Sequence, residues 1–219
     1  MLKFKLFIKL CFGILENIRD DFLDFLSQRK QPYKSNNKLS NVNLQKVGKG
    51  DGRWSLLTDN LNSSSIIYSV GIGHDVSFDL ELIKKFGCEI HAFDPTYLSK
   101  NWLKQQRLPN NFFYHDCGLA NYTGTANFSL PDGHSVSFSM SETVAGDQNH
   151  TAQVKKLSDL MSDLGHRKID VLKIDIEGGE FEIIDDLVKS ADIIGQLLIE
   201  FHDRLAGKKL SPEALKKLQ

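Results

Sequence analysis

IIYSVGIGHDVSFDLELIKKFGCEIHAFDP, residues 66–95, is the stretch that decides the fold. Ile66–Val70 is apolar, rich in β-branched residues and too short for a buried helix, which predicts a central strand. Gly71 and Gly73 follow in a turn. Asp75 or Ser77 can then cap a helix whose inward face is Phe78, Leu82, Ile83 and Phe86, and Gly87 is placed to end it. Glu89–Phe93 is a second strand, closed by Asp94. Strand, helix and strand within about thirty residues make a βαβ unit with parallel strands.

The same alternation continues downstream. A helix around Leu98–Gln106 leads to a third strand, Phe112–His115, ending at Asp116. Pro131-Asp132-Gly133-His134 is turn chemistry between Thr125–Leu130 and Ser135–Met140, predicting a small hairpin. The polar stretch Ser141–His150 reads as an exposed loop and a substrate-side flap. Leu157–Leu164 is a helix stopped by Gly165, Ile169–Ile176 a fourth strand, Gly179–Val188 a helix and Gln196–Phe201 a fifth strand. Ser211-Pro212-Glu213 opens a last helix.

Upstream, Trp54 in GDGRWSLL reads as a packing anchor or part of a short strand. Residues 31–43 are polar and mark a linker. Phe7, Cys11, Leu15, Ile18, Phe22 and Leu26 recur every three or four positions and predict an amphipathic helix from about Leu2 to Ser27. Its basic start and apolar middle also resemble a signal or anchor. Lys9 interrupts that middle, however, no small-residue cleavage site follows, and the run is far below the ~20 apolar residues of a membrane span. The expectation is a packed helix or a weak membrane association through residues 1–27. The chain thus divides into residues 1–43, helix and linker, and residues 44–219, the main α/β domain.

With 219 residues, 41% hydrophobic and 25% charged, the chain can bury a sizeable core, and its net charge of -1 gives no field for nucleic acid. Cys11, Cys88 and Cys117 lack metal-ligand spacing and disulfide density, so they read as interior thiols. Asn62-Ser63-Ser64 and Asn121-Tyr122-Thr123 match the glycosylation pattern, which matters only on a secretory route; cytoplasm and secretory pathway both stay open.

In open parallel sheets ligands bind beyond the carboxyl ends of the strands. Here those ends carry Gly71/Gly73, Asp94, Asp116, Asp175/Glu177 and Glu200/His202, a set that core packing does not call for. Glycines let a backbone approach a ligand closely, and the next helix offers its unpaired N–H groups. Asp94 stands at the offset from Gly73 where an acid accepts from ribose hydroxyls. Asp116 can accept from an adenine amino group or cap a turn. In Lys173-Ile174-Asp175-Ile176-Glu177-Gly178-Gly179-Glu180, Lys173 and Asp175 share one strand face, and Glu180 falls in the first helical turn.

SVGIGHD, HAFDP and LKIDIEGGEFEII together resemble the FkbM-type methyltransferase family, the first block especially the methyltransferase-like proteins of the protein-24 type. The resemblance covers roughly Trp54 to His202. It implies a three-layer Rossmann-like class I methyltransferase fold with a mostly parallel sheet and S-adenosylmethionine as cofactor, acting on a hydroxyl of a small molecule or glycan. It places Gly71, Gly73 and Asp75 near the methionine part, Asp94 and Pro95 at the ribose, and Asp116 and Cys117 beside adenine. Asp175, Glu177 and His202 would face the methyl group or the acceptor, with His202 or Asp175 as base. Ser69 and Asp75 depart from the family pattern, and too little chain follows the fifth strand for the usual final antiparallel pair, as in a fragment. The alternatives are an NAD-dependent oxidoreductase, disfavoured by Val76 in place of a third glycine, and an inactive interaction module. The absence of a consecutive ligand pair leaves metal out.

Overall fold

A computed structural model describes residues 3–9, 44–129, 139–140, 149–177 and 179–202 of the chain. Its centre is a strand that no side of the molecule leaves wet. In β4 (Ile66–Val70) four of five residues are buried, as a strand covered on both faces requires. It pairs in parallel with β5 (Glu89–Phe93) on one side and β11 (Ile169–Ile174) on the other. β6 (Phe112–His115) continues beyond β5, and β12 (Ile194–His202) beyond β11, both parallel. The chain runs outward from β4 in one direction and returns to run outward in the other, so the switch in strand order lies between β4 and β11.

Successive strand residues point to opposite faces, and the two faces bury separate apolar clusters. Tyr68, Val70, Leu172, Ile174, Leu197 and Ile199 pack with α3 (Leu157–Leu164) and α4 (Glu180–Lys189). Ile67, Val171 and Leu198 pack instead with α1 (Ser77–Phe86) and with the hairpin of β2 (Gln45–Val47) and β3 (Trp54–Leu56). Trp54, 2% exposed, is the packing anchor of that hairpin. The remaining helix, α2 (Tyr97–Leu103), starts on Thr96, whose side chain accepts from the Ser99 amide. The three layers are those of a Rossmann-like methyltransferase fold.

Most expected elements lie where periodicity put them, and α1 ends at Gly87 (φ 69°). Two differences matter. Lys3–Lys9 is not helical: it is a strand, β1, antiparallel to β12 in the register Lys3↔His202 to Lys9↔Gln196. KFKLFIK begins with strict alternation of basic and apolar residues, a period that suits a strand, and the nine-residue β12 offers an edge whose backbone groups need partners. The sheet therefore does have an antiparallel strand beside β12, supplied from the amino-terminal side. The rest of the expected helix, Cys11 and the linker up to residue 43 lie outside the described residues, as do the last helix, the hairpin turn and most of the flap.

The second difference is a four-stranded sheet in the order β7 (Gly118–Leu119), β10 (Asn149–Lys155), β8 (Gly124–Ser129), β9 (Ser139–Met140). The hairpin partners pair through Phe128↔Met140. β10 corrects the reading of Ser141–His150 as loop throughout, because residues 149 and 150 begin a strand. Among residues 150–155 of β10 only Val154 is buried while Thr151 and Gln153 are exposed, so its sequence resembles a polar loop. As expected, Cys88 and Cys117 are free and buried, and burial pushes the Cys88 thiol up to about 11. Among the described residues no helix is long and apolar enough to cross a membrane.

Removing residues 1–9 strips β12 of its antiparallel neighbour. The expected result is a lower Tm together with concentration-dependent self-association in analytical ultracentrifugation, since a long bare edge templates pairing. A truncated chain with unchanged Tm and sedimentation would show that β1 contributes nothing to the sheet.

Candidate functional site

The turn after β4 is the tightest place in the sheet. Gly71 has φ 72°, and a Cβ on it would lie 1.7 Å from the carbonyl oxygen of Asp175. The glycine is therefore demanded by the chain leaving β11, before any ligand is considered. Gly71 N donates to Phe93 O at 2.9 Å, and Asp175 N donates to Val70 O at 3.0 Å. Lys173 completes the clamp, its Nζ donating to Gly71 O at 2.7 Å. Gly73, with φ 51°, has no heavy atom within 4 Å of where its Cβ would be. It keeps a bare stretch of backbone facing open space.

Asp94 holds the other side of this turn. It is 4% exposed. Its Oδ2 accepts from Ile72 N at 3.2 Å and Gly73 N at 3.0 Å. Its Oδ1 accepts from Thr96 N at 2.9 Å and Thr96 Oγ1 at 2.6 Å. A carboxylate offers about four acceptor positions, so the group is locked in place by its own neighbours.

Around this turn lies a small cavity of about 140 Å³, lined by Gly71, Gly73, Asp94, Pro95, Asp175 and Glu177 together with Thr96, Leu119 and Phe128. Six of the ten residues singled out from sequence thus meet in one place. Glu177 adopts φ 55°, a conformation unfavourable for a side chain with a Cβ and one that gathers at functional turns. Glu180 begins α4 fully buried, and its Oε1 accepts from Ile176 N at 3.3 Å, which steadies the turn that carries Asp175 and Glu177.

The other four residues are elsewhere. Asp116 is half-exposed and ion-paired with Lys100. Cys117 is in the core, where burial raises its pKa. The chain turns sharply after β6, with Cys117 N donating to His115 O at 2.9 Å, so the cavity wall is formed by the following pair, Gly118 and Leu119. Asp75 caps the start of α1, its Oδ1 accepting from Ser77 N at 2.7 Å. His202 is the last residue of β12.

Asp75 also lines a second, larger cleft of about 600 Å³ on the far side of the glycine turn. This cleft shares Gly71, Ile72 and Asp175 with the first, and Lys46, Arg53, Asp79, Lys173 and Glu200 give it mixed charge. Asp79 is 1% exposed, and burial pushes its carboxyl up to about 6 against the opposing pull of Lys173. Lys173 Nζ sits 5.5 Å from the centre of the Trp54 ring, a cation over an aromatic face. Sequence reasoning places Lys173 on the face of Asp175 but gives it no role, and it passes over Thr96, Leu119 and Phe128. Thr96 had a local signal, two residues after Asp94 at a helix start; Phe128 had none, because it reaches the site from another sheet.

A family model described as a methyltransferase domain matches residues 27–217. The chain is 30% identical over 164 residues to the Homo sapiens protein named probable methyltransferase-like protein 24, covering 74% of this chain and 39% of that relative. The Rattus norvegicus protein of the same name is 28% identical over 163 residues, with 74% and 39% covered. The chain therefore spans 39% of the length of these curated relatives. No solved structure matches it.

The two glycines should respond differently to substitution. Gly71→Ala is expected to cost more than about 3 kcal/mol or to prevent folding, through backbone overlap at Asp175. Gly73→Ala should cost only about 1 kcal/mol, because the strain there is in φ alone. Urea denaturation of both variants measures the difference, and equal midpoints would contradict the packing assigned to Gly71.

Proposed function

The chain belongs to the methyltransferase-domain family, and from that premise we propose that it uses S-adenosylmethionine to O-methylate a hydroxyl on a small molecule or glycan. The observation that carries this reading is the position of Asp175 on the shared wall of two clefts. One cleft suits the cofactor and the other an acceptor, and a single acidic residue borders both.

The residues of the smaller cleft fit the cofactor. Gly73 offers backbone with nothing within 4 Å of its Cβ position, so a ligand can approach closely. Asp94 is assigned to the ribose, whose hydroxyls it meets by exchanging one or more of the four protein donors that otherwise fill its acceptor positions. Pro95, Leu119 and Phe128 supply an apolar wall for the base, taking the place expected for Asp116 and Cys117. S-adenosylmethionine, when bound, supplies a methyl group activated by its sulfonium.

Methyl transfer is an in-line displacement, so the chain contributes chiefly by holding the acceptor oxygen in line and removing its proton. Asp175 is assigned as the base, with His202 the other candidate, and Glu177, which lines the smaller cleft, is assigned to the side of Asp175 that faces the transferred methyl group. The larger cleft, polar and of mixed charge, suits a hydroxyl-bearing acceptor better than an apolar one.

Calorimetric titration with S-adenosylmethionine, S-adenosylhomocysteine and NAD tests the cofactor assignment; binding of NAD alone would overturn it. With an acceptor found by mass-spectrometric screening of glycans and small metabolites, Asp175→Asn should lower kcat by about 10²–10⁴ while leaving S-adenosylhomocysteine affinity nearly unchanged. Full turnover in both Asp175→Asn and His202→Ala would remove these residues from the chemistry.

A further inference from the structure

At the end of the sheet away from the clefts, β5 opens on Glu89 and carries His91 two residues later, on the same strand face. His166 reaches the same point from the connection between α3 and β11, just after Gly165 ends α3. One oxygen of Glu89 and one ring nitrogen of each histidine lie within 4.8 Å of one another. The rings of His91 and His166 meet edge to face, with centroids 4.7 Å apart.

Each imidazole is also held from behind. His91 Nδ1 is 2.9 Å from His115 Nε2, and His91 Nε2 is 2.7 Å from Glu89 Oε1. His166 Nδ1 is 2.8 Å from Tyr68 Oη. Metal-ligating histidines are oriented in this way, by a hydrogen bond from the ring nitrogen that does not face the ion. We propose that Glu89, His91 and His166 form a site for one divalent transition-metal ion of the zinc class, with His115 and Tyr68 orienting the ligands.

Two imidazoles and one carboxylate suit zinc and its neighbours and not calcium or magnesium, which take oxygen ligands. Three protein donors leave the fourth tetrahedral position to water. The ion has a way in, since His91 is 4% exposed while the Glu89 side chain is 43% exposed. On binding, the ion takes the position of the proton between His91 Nε2 and Glu89. The displaced Nε2 proton leaves to solvent, and the proton shared by the His91 and His115 rings passes to His91 Nδ1 and is donated to His115 Nε2. His115 takes up a proton at its own Nδ1, so both rings stay neutral. Because Glu89 begins β5 and His166 precedes β11, the ion ties together the two strands that flank β4 and stabilises the fold, at a distance from the chemistry.

The test uses the full chain without an affinity tag, stripped with chelator and titrated with Co²⁺ and then Zn²⁺. The expected outcome is one equivalent bound, a tetrahedral Co²⁺ absorption band that Zn²⁺ abolishes, and a Tm raised by Zn²⁺. His166→Ala and Glu89→Gln, chosen because both residues reach the surface and their loss leaves the core intact, should each weaken binding tenfold or more. His91→Ala serves as a third variant where circular dichroism shows it folded. Absence of stoichiometric binding would overturn the site and leave a hydrogen-bonded chain of Glu89, His91 and His115. Binding unaffected by His166→Ala and Glu89→Gln would overturn it equally.

Discussion

The turn after Val70 passes so close to the carbonyl of Asp175 that only hydrogen fits between them. That contact joins the two halves of the sheet at the point where strand order reverses. It brings the end of β4 and the end of β11 together, and with them the glycine turn and the acidic turn. Lys173 seals the approach from within the sheet by bonding Gly71 O. Its charge is buried, at 5% exposure, and this is tolerable because carbonyl, aromatic ring and the Asp79 carboxylate surround it.

The site follows from this constraint. With the two turns pressed together, Asp94 on the neighbouring strand has the Ile72 and Gly73 amides within reach and becomes the lock of the turn. One cavity opens between this lock and the small sheet of β7–β10. The other opens beneath the β2–β3 hairpin. Asp175 borders both because its own backbone is the wedge that separates them.

Much of this was legible in the residues. The β4–α1–β5 unit, α3 and the glycines ending both helices announce themselves through apolar runs and left-handed stops, all local signals. Gly71, Gly73, Asp94, Pro95, Asp175 and Glu177 could be placed together because parallel strands carry their carboxyl ends to one side. Asp116 and Cys117 could not be placed to within two positions, since a sharp turn after β6 decides which side chain meets the cavity. The alternation in KFKLFIK was masked by a longer helical stripe, and β1 exists because β12 presents an open edge to it.

By itself, then, the sequence determined the order of the five parallel strands and the helices between them, the burial of β4 and the identity of the residues at those strand ends, since each follows from periodicity and turn chemistry within a few residues. The tertiary structure alone decided that Gly71 answers to the Asp175 carbonyl, that Phe128 reaches the cavity, and that Glu89, His91 and His166 converge. These are encounters between segments far apart in the chain, and no local pattern encodes how closely two backbones approach or which side chains meet where they do.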